Sequence, residues 1–353
     1  MNRLPVYILG GSGYGGGELL RLLSAHPEIG ALRAVSRKYA GEPFWKAHPN
    51  LRSVVQGSFD AEPDWNALAV AERPVVFSAM PHFELGQQLP ALEAAWAKHG
   101  LADRLSLVDL SGDFRLDDAS TFEAAYGKPH PYPKGMGKFV YGLPEWKNTS
   151  LPGAKRIASP GCFATAIQLA LLPFAGMKDL GFVAVSAATG SSGSGVSPGE
   201  GTHHPSRAED FRAYKVLAHQ HQAEITRLLD AQGSTGYSLS FVPQSAPMVR
   251  GIYATVQFRA AGLDAKAVTK RMETAYKTSP FVRLLGSEPP RVAAVAGSNF
   301  CDIGWQVKDG SVAVMSALDN LVKGMAGQAI QDMNLALGFP ETEGLLHAGT
   351  YPG

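Results

Sequence analysis

The chain has 353 residues, 45% of them hydrophobic and 18% charged, which is typical of a soluble globular protein with two domains. Lys and Arg number 32 against 31 Asp and Glu, so no overall charge attracts the protein to nucleic acid or to an anionic membrane. The apolar runs are too short for a signal peptide or a membrane span. Two cysteines, Cys162 and Cys301, make no disulfide framework, so we expect a cytoplasmic protein.

The first 160 residues alternate short apolar runs with helix-like segments. This spacing predicts βα units around a parallel sheet, and therefore an α/β domain over residues 1–159. The runs that predict its strands are VYIL at 6–9, LRAVS at 32–36, PVVFSA at 74–79 and LSLVDLS at 105–111.

Residues 160–319 have longer alternating segments, which predict a second domain with an antiparallel or mixed sheet. The predicted strands are 182–189, 237–244, 251–260 and 309–318, and the predicted helices are 207–231 and 264–275. Apolar residues recur at helical spacing over 320–337. We expect a C-terminal helical segment, 320–353, to return to the first domain and complete it.

A glycine-rich turn follows the first predicted strand directly. Residues 11–16 read GSGYGG, a G-x-G-x-x-G match that leads into the helical sequence ELLRLLSAH. In such a turn, glycines let the backbone approach a pyrophosphate closely, and the helix N-terminus supplies N–H donors and the positive end of its dipole. Ser12 and Tyr14 can add polar contacts. A glycine-rich turn without a ligand is the alternative.

The end of the second predicted strand indicates which dinucleotide would bind. At this point, about 20 residues after the turn, a carboxylate would accept the ribose hydroxyls of NAD. The chain instead has Ser36, Arg37 and Lys38, a hydroxyl and two cations that suit the 2′-phosphate of NADP. Solvated basic loops have the same composition, so by itself this pattern indicates only a preference for NADP(H).

Cys162 lies in SPGCFATA, where Pro160 and Gly161 predict a turn and the following residues predict a buried helix. A thiol at a helix N-terminus is stabilised as the thiolate, which is the nucleophilic form. An inert packed cysteine is the alternative. Cys301 lies in SNFCDIGWQV, which alternates like a strand, and we assign it to packing.

A thiolate mechanism needs a proton carrier, and the sequence AHQHQAEI offers His219, His221 and Glu224. On a helix, positions i and i+2 point to different sides, so one histidine would face the sulfur. Zinc binding by His203, His204, His219 and His221 is a rival hypothesis. No C-x-x-C or H-E-x-x-H pattern supports it, so we expect no metal.

Six segments together are similar to one known enzyme family: GGSGYGGGELLRLL at 10–23, DLSGDFRL at 109–116, SPGCFATA at 159–166, AYKVLAHQHQAEI at 213–225, MVRGI at 248–252 and DNLVKGMAGQAIQDMN at 319–334. With them the chain resembles N-acetyl-γ-glutamyl-phosphate reductase over nearly its whole length. The resemblance implies a Rossmann NADP-binding domain and an α+β substrate and dimerisation domain of the semialdehyde dehydrogenase type, in homodimers or homotetramers.

The resemblance also implies site residues. Cys162 matches the family's nucleophile, His219 its general acid/base and Glu224 the carboxylate that orients the site. Arg115 and Arg250 match anion partners for the substrate, with a structural ion pair as the alternative for each. The residues that match NADP contacts are Ser12, Gly13, Tyr14, Gly15, Ser36, Arg37, Lys38 and Asn320.

The implied reaction is the NADPH-dependent reduction of N-acetyl-L-glutamyl 5-phosphate to N-acetyl-L-glutamate 5-semialdehyde and phosphate, in arginine biosynthesis. The Cys162 thiolate attacks the acyl carbon, phosphate leaves, hydride reduces the thioester and the aldehyde is released, with His219 managing the protons. Two other classes remain as alternatives. They are a dehydrogenase without a covalent intermediate and an NADP-sensing protein without catalysis.

Two stretches depart from the family's pattern. The family often has N-P-G-C-Y-P-T and S-G-x-S-G-A-G-R, whereas this chain has SPGCFATA and TGSSGSGVSPGEGTHHP, so the loop's usual arginine is missing. Residues 36–52 and 197–215 look like a subgroup that reduces 2-aminoadipate 6-phosphate or glutamate phosphate carried on a small acidic protein. Such a carrier-bound substrate, in lysine or arginine biosynthesis, is the alternative. Candidates for a basic docking surface are Lys38, Lys46, Arg52 and Arg207.

Overall fold

The structure, a computed structural model, describes residues 3–146, 150–260 and 262–352. Contacts divide the chain into two compact units. The first unit comprises Met1–Pro144, Asn148–Pro160 and Met325–Leu346, and the second comprises Glu145–Lys147, Gly161–Gly324 and His347–Gly353. The sequence predicts domain boundaries at 159/160 and 319/320. In the structure the long segment of the second unit runs from Gly161 to Gly324, so it ends five residues after the predicted boundary.

The strands in the described part of the chain are β1 Leu4–Leu9, β2 Ile29–Val35, β3 Phe59–Asp60, β4 Val75–Ser78, β5 Ser106–Asp109, β6 Val140–Tyr141, β7 Arg156–Ala158, β8 Gly181–Thr189, β9 Arg212–Ala213, β10 Tyr237–Ser245, β11 Ile252–Arg259, β12 Val282–Gly286, β13 Cys301–Lys308 and β14 Ser311–Leu318. The helices there are α1 Tyr14–Leu23, α2 Trp65–Ala69, α3 Glu84–Lys98, α4 Ala119–Tyr126, α5 Cys162–Leu171, α6 His204–Arg207, α7 His221–Ala231, α8 Ala265–Tyr276, α9 Val292–Val295 and α10 Gly327–Leu337. None of these described helices is long and apolar enough to cross a membrane.

The first unit contains a parallel sheet with the strand order β3-β2-β1-β4-β5-β7-β6. β1 pairs in parallel with β2 on one side and with β4 on the other, so the strand order reverses at β1. In open α/β sheets, ligands bind at the carboxyl ends of the strands beside such a reversal. The glycine turn between β1 and α1 leaves the sheet at this place. The predicted parallel sheet is confirmed.

Burial accounts for the sequence of the central strands. Every residue of β4 and β5 is buried, as expected for a parallel sheet that is covered on both faces. α1 buries Leu19, Leu20, Leu22 and Leu23, the apolar residues that follow its glycines. A hydrophobic cluster of the first unit includes the large side chains of Tyr7, Trp65, Trp96 and Phe114.

The second unit contains a mixed sheet with the order β12-β13-β14-β11-β8-β10-β9. β8 and β10 are parallel, as are β12 and β13, and the other neighbours are antiparallel. The predicted mixed sheet is confirmed, and Cys301 lies on a strand as its alternating sequence predicts.

α5 is the central helix of the second unit. Every residue of α5 after Cys162 is buried, and the helix packs on β11, β14 and α7. The Ser316 hydroxyl on β14 donates a hydrogen bond to the Ala166 carbonyl over 2.8 Å. The predicted buried helix after Cys162 is therefore confirmed, and its sequence is apolar because it has no exposed face.

The predicted helix over 207–231 is wrong in its first half, since α7 begins only at His221. Lys215 and Leu217 have φ angles of 43° and 58°, which lie in the left-handed region and cannot continue an α-helix. The Leu217 amide instead donates to the Phe241 carbonyl of β10 over 3.1 Å. The predicted helix over 264–275 is confirmed as α8.

The C-terminal helical segment is shorter than the predicted 320–353. A π-helical turn at Val322–Ala326 leads into α10, which ends at Leu337. Gly338 closes the helix with a φ angle of 76°, a left-handed conformation that glycine adopts without strain. The helical spacing of apolar residues also stops there, so the sequence does mark the end of the helix.

A buried ion pair lies in the second unit. Lys323 Nζ lies 2.6 Å from Glu145 Oε1, and both side chains are 0% exposed. Lys323 Nζ also lies 5.8 Å from the centre of the Phe281 ring. Two opposite charges removed from water stabilise each other, because loss of either one leaves the other buried without this ion pair.

We expect the substitution Lys323→Met to lower the free energy of unfolding by roughly 3 to 5 kcal/mol, because it leaves the Glu145 carboxylate without its cation. Urea denaturation measures this change. The double variant Lys323→Met/Glu145→Leu removes both charges and is expected to recover most of the loss. A double variant as unstable as the single one would contradict this account of the pair.

Candidate active site

Cys162 is the first residue of α5, and Gly161 precedes the helix. The cysteine is half-buried, while the helix behind it is fully buried, so helix packing sets the position of the sulfur. Gly324 lies against the same residue, since a Cβ atom built there would be 2.8 Å from the Cys162 Cβ. The first N–H groups of a helix have no partner within the helix, and they stabilise a thiolate.

Glu224 connects α7 to the start of α5. Its Oε2 atom accepts a hydrogen bond from the Gly161 amide over 3.0 Å, and the residue is 1% exposed. Its Oε1 atom lies 3.9 Å from His221 Nε2. The His221 ring also lies directly on Gly161, where a Cβ atom would be 2.3 Å from Nε2. The carboxylate therefore holds both the residue before the thiol and a histidine beside it.

His219 lies in the turn before α7, next to His221. The two rings are 4.6 Å apart, and the His219 Nδ1 atom accepts a hydrogen bond from the His221 amide over 3.2 Å. This bond directs the ring proton of a neutral His219 to Nε2. The ring also lies 5.4 Å from that of Phe163 on α5. Both histidines thus stay near the thiol, although the single helix expected to carry them begins only at His221.

Tyr214 is a residue of this site that the sequence analysis did not single out. Its ring lies 5.9 Å from that of His219. The pKa of Tyr214 is raised above its usual value, first by burial and then by the negative charge of the nearby Cys162 thiolate. Tyr214 belongs to the segment AYKVLAHQHQAEI, which the family resemblance includes. It lies seven residues before α7, and only the turn between them shows that it lies near the thiol.

The second cysteine has a different environment. Cys301 is 0% exposed, and burial raises its pKa well above the usual value, so it remains a neutral thiol. Its predicted assignment to packing agrees with this burial. Among the residues that the structure describes, no group of three or more His, Cys, Asp and Glu side chains is arranged to hold a metal ion.

The glycine turn of the first unit has the shape that a dinucleotide requires. A Cβ atom at Gly16 would lie 2.5 Å from the Gly11 carbonyl oxygen, so only glycine lets the helix approach the strand this closely. A Cβ atom at Gly13 would meet its nearest atom at 3.7 Å, so the outer side of the turn has room for phosphate. Among the described residues no side chain caps α1 at Gly13, and the Tyr14 side chain is 40% exposed.

The serine and the two cations after β2 lie beside this turn. The Ser36 hydroxyl donates to the Ser12 hydroxyl over 2.9 Å, which joins the end of β2 to the turn. The Arg37 side chain is 82% exposed, and its guanidinium lies 3.9 Å from Glu62 Oε1. Lys38 Nζ lies 5.3 Å from the centre of the Tyr39 ring. Two cations therefore follow β2 beside the glycine turn.

Asn320 and Arg250 lie in the second unit. Asn320 is buried, with Oδ1 accepting from the Gly251 amide over 2.6 Å and Nδ2 donating to the Ser192 hydroxyl over 3.0 Å. Arg250 Nε lies 3.0 Å from Asp319 Oδ2, and the Arg250 side chain is 30% exposed. The ion pair that the sequence left as an alternative for Arg250 is thus present. The ligand contacts proposed for both residues stay predictions.

Arg115 is a buried residue of the first unit, 4% exposed. Its Nε donates to the Ser159 carbonyl over 2.8 Å, and one terminal nitrogen donates to the Leu110 carbonyl over 2.7 Å. These bonds tie the end of β5 to the segment after β7. The geometry favours a structural role for Arg115, and its contact with a substrate stays a prediction.

The fold and the thiol site define a class of protein. Residues 5–154 match the family model for the semialdehyde dehydrogenase NAD binding domain, and residues 162–320 match that for the semialdehyde dehydrogenase dimerisation domain. The solved structure of aspartate semialdehyde dehydrogenase II from Vibrio cholerae, complexed with ASA, has a TM-score of 0.65 at 15% identity and covers 95% of this chain and 98% of its own. That of the Candida albicans enzyme with NADP has a TM-score of 0.62 at 14% identity, covering 94% and 98%. The protein has the semialdehyde dehydrogenase fold.

Curated relatives narrow this class. The N-acetyl-gamma-glutamyl-phosphate reductases of Methanopyrus kandleri and Akkermansia muciniphila are 40% and 39% identical over 98% of this chain and 99% of their own lengths. The LysW-L-2-aminoadipate 6-phosphate reductase of Deinococcus radiodurans is 38% identical over 98% of both chains. The chain belongs to the N-acetyl-γ-glutamyl-phosphate reductase family, which confirms the resemblance seen in the sequence.

The different environments of the two cysteines lead to a prediction for thiol chemistry. We expect iodoacetamide to alkylate Cys162 in the native protein and to leave Cys301 unmodified, because only Cys162 is both accessible and placed at a helix N-terminus. Mass spectrometry of the intact chain would show one added group, which Cys162→Ser would abolish. Addition of two groups, or of one group in the Cys162→Ser variant, would contradict this assignment.

Proposed function

We propose that the protein reduces N-acetyl-L-glutamyl 5-phosphate to N-acetyl-L-glutamate 5-semialdehyde and phosphate with NADPH, in arginine biosynthesis. The observation that carries the proposal is the cluster of Cys162, His219 and Glu224 at the start of α5. The names of the curated relatives support this substrate. A reactive thiol suits it, because phosphate is a good leaving group and a thioester is easier to reduce than a carboxylic acid.

The proposed reaction begins at the sulfur. The Cys162 thiolate attacks the acyl carbon, the C–O bond to phosphate breaks, and phosphate leaves with the electron pair of that bond, so that a thioester forms on the enzyme. The N–H groups at the start of α5 would stabilise the negative charge on the acyl oxygen. His219 takes the thiol proton from Cys162 and returns a proton as the intermediates collapse. Glu224 orients this site through the Gly161 amide.

The cofactor would be held by the glycine turn of the first unit. When bound, NADPH supplies the hydride that reduces the thioester to the oxidation level of an aldehyde. Residues Ser12, Gly13, Tyr14 and Gly15 would surround the pyrophosphate, and Ser36, Arg37 and Lys38 the 2′-phosphate. We also propose Arg250 as an anion partner for the substrate, since its side chain is 30% exposed, and a positioning role for Arg115.

The test is the reverse reaction, phosphate-dependent reduction of NADP⁺ with N-acetyl-L-glutamate semialdehyde. We expect wild-type protein to turn over and Cys162→Ser to be slower by a factor on the order of 10⁴ or more, because no thioester can form. A Cys162→Ser variant that retains activity would point to a dehydrogenase without a covalent intermediate. Wild-type protein that binds cofactor but turns over neither this substrate nor a carrier-bound one would point to an NADP-sensing protein.

A second candidate is the same chemistry on carrier-bound 2-aminoadipate 6-phosphate or glutamate phosphate. Two relatives are named as LysW-aminoadipate 6-phosphate reductases, from Deinococcus radiodurans and Thermomicrobium roseum. Lys46 and Arg52 are exposed and lie 5.3 Å and 4.1 Å from the Trp45 ring centre, so they form a basic surface around this ring. Lys38, another candidate, is also exposed. Arg207, the fourth candidate, is half-buried in the second unit, where its guanidinium donates to the Thr189 carbonyl over 3.2 Å. No turnover of the acetylated substrate, together with turnover of the carrier-bound one, would favour this candidate.

We also propose that the protein is a homo-oligomer. The second unit matches a dimerisation domain, and one face of its sheet carries partly exposed side chains on β8, β11 and β14. Phe182 on β8 is 61% exposed there, beside the small or polar side chains of Ala184, Gln257 and Ala313. Such a face suits the sheet of a second copy in a homodimer or homotetramer.

The proposed preference for NADPH depends on the two cations after β2. We expect Arg37→Ala/Lys38→Ala to raise the dissociation constant for NADPH about 10- to 100-fold, because charge-assisted contacts to the 2′-phosphate are lost. Binding of NADH, which lacks this phosphate, is expected to change little. Titrations followed by cofactor fluorescence measure both constants, and Lys98→Ala, an exposed cation in the last turn of α3, is the control. An equal loss for NADPH and NADH would contradict the assignment.

A further inference from the structure

His48 is a buried histidine that no sequence motif marks and that takes no part in the proposed reaction. It lies between two 3-10 turns, Phe44–Lys46 and Pro49–Leu51, and is 7% exposed. Its Nε2 atom lies 2.8 Å from the carbonyl oxygen of Gly11, the first glycine of the turn. Because a carbonyl oxygen only accepts, the Nε2–H of His48 donates this bond, and burial lowers the pKa of the ring.

The same ring also contacts the helix that follows the glycine turn. A Cβ atom at Gly17 would lie 2.5 Å from His48 Nδ1, so glycine at this position makes room for the imidazole. Gly11 is enclosed on its other side, where a Cβ atom would lie 2.7 Å from the Ala34 Cβ on β2. His48 thus lies against the first glycine of the turn, Gly11, through a hydrogen bond and against Gly17 on the following helix through packing.

The segment that carries His48 is tightly anchored. The Phe44 amide donates to the Gly57 carbonyl over 3.1 Å, and the His48 amide donates to the Phe44 carbonyl over 3.0 Å. The rings of Phe44 and Phe59 pack edge to face with centres 5.0 Å apart. Residues 36–59 therefore form a rigid excursion from the sheet, and its histidine is held in place before any ligand binds.

The beginning and the middle of this excursion contact the same turn. At its beginning, Ser36 donates to Ser12 over 2.9 Å and is followed by the exposed Arg37 and Lys38. In its middle, His48 holds the Gly11 carbonyl. A shift of the turn relative to the excursion would separate the pyrophosphate contacts from the cations that would bind the 2′-phosphate. The hydrogen bond from His48 opposes such a shift.

We propose that His48 is a positioning residue for the dinucleotide: it fixes the Gly11 carbonyl so that the N–H groups of the glycine turn and the cations after β2 bind one NADP(H) molecule together. The inference rests on the proposed NADP(H) function of the first unit. His48 acts through the turn, by its hydrogen bond to the Gly11 carbonyl and its packing against Gly17. Its effect is therefore on cofactor affinity and not on the chemical step.

The test compares three variants by titration with NADPH, followed by cofactor fluorescence. His48→Phe keeps a buried ring but has no donor, and we expect the dissociation constant to rise about tenfold, the equivalent of one hydrogen bond. His48→Gln has a side-chain N–H donor of similar reach and is expected to restore affinity to within about threefold of wild type. The matched control is His130→Phe, because His130 is 4% exposed and its Nε2 lies 2.7 Å from the Asp113 carbonyl oxygen in the same unit.

Steady-state kinetics separate positioning from general damage. We expect the KM for NADPH to rise in His48→Phe while kcat stays within about twofold of wild type, and the His130→Phe control to leave both constants unchanged. If His48→Phe does not fold, Gly17→Ala tests the same contact, because its methyl group would displace the imidazole. This variant is expected to weaken NADPH binding although alanine favours the helix.

The outcomes distinguish this inference from the proposal on which it rests. Wild-type protein that does not bind NADPH would overturn the proposed cofactor itself. Wild-type protein that binds NADPH, with His48→Phe or Gly17→Ala binding equally well, would overturn the positioning role alone. A His48→Gln variant as weak as His48→Phe, or an equal loss in His130→Phe, would also overturn it, since the hydrogen bond would not then be the cause.

Discussion

The thiol site depends on one hydrogen bond, from the Gly161 amide to the Glu224 carboxylate. This bond joins α7 to the residue that begins α5, and α5 is buried along its whole length behind Cys162. The sulfur is therefore held by a packed helix on one side and by a buried acceptor on the other. The same carboxylate lies 3.9 Å from His221, so Gly161, which precedes Cys162, and this histidine share one support. Preorganisation of this kind is what transition-state stabilisation requires.

The first unit obeys a similar constraint at the glycine turn. Three contacts define it: the close approach of Gly16 to Gly11, the Ser36–Ser12 hydrogen bond and the His48 ring between Gly11 and Gly17. Each contact restricts backbone rotations that a glycine-rich chain would otherwise make freely. A turn held in this way pays little conformational entropy when a nucleotide binds.

Local patterns in the sequence were sufficient where one element carries the whole signal. The strand-turn-helix at residues 4–23 and the cysteine at the start of an apolar helix were both predicted, because glycine spacing and hydrophobic periodicity are local properties. The predicted helix over 207–231 failed because backbone hydrogen bonds to β10 override the helical pattern before His221. His48 and Tyr214 were missed because a single polar residue in a loop has no periodicity that would reveal its partner.

The sequence by itself determined the two-domain α/β organisation, the glycine turn and the basic residues after β2, and it predicted Cys162 and not Cys301 as the nucleophile. Tertiary structure decided which side chains surround these groups. It placed Glu224 and His221 on Gly161 from a helix 60 residues away, and it enclosed Asn320 and Arg115 in hydrogen bonds with the backbone. The physical reason is that such contacts join segments distant in the chain, so their partners are set by packing and not by local propensity.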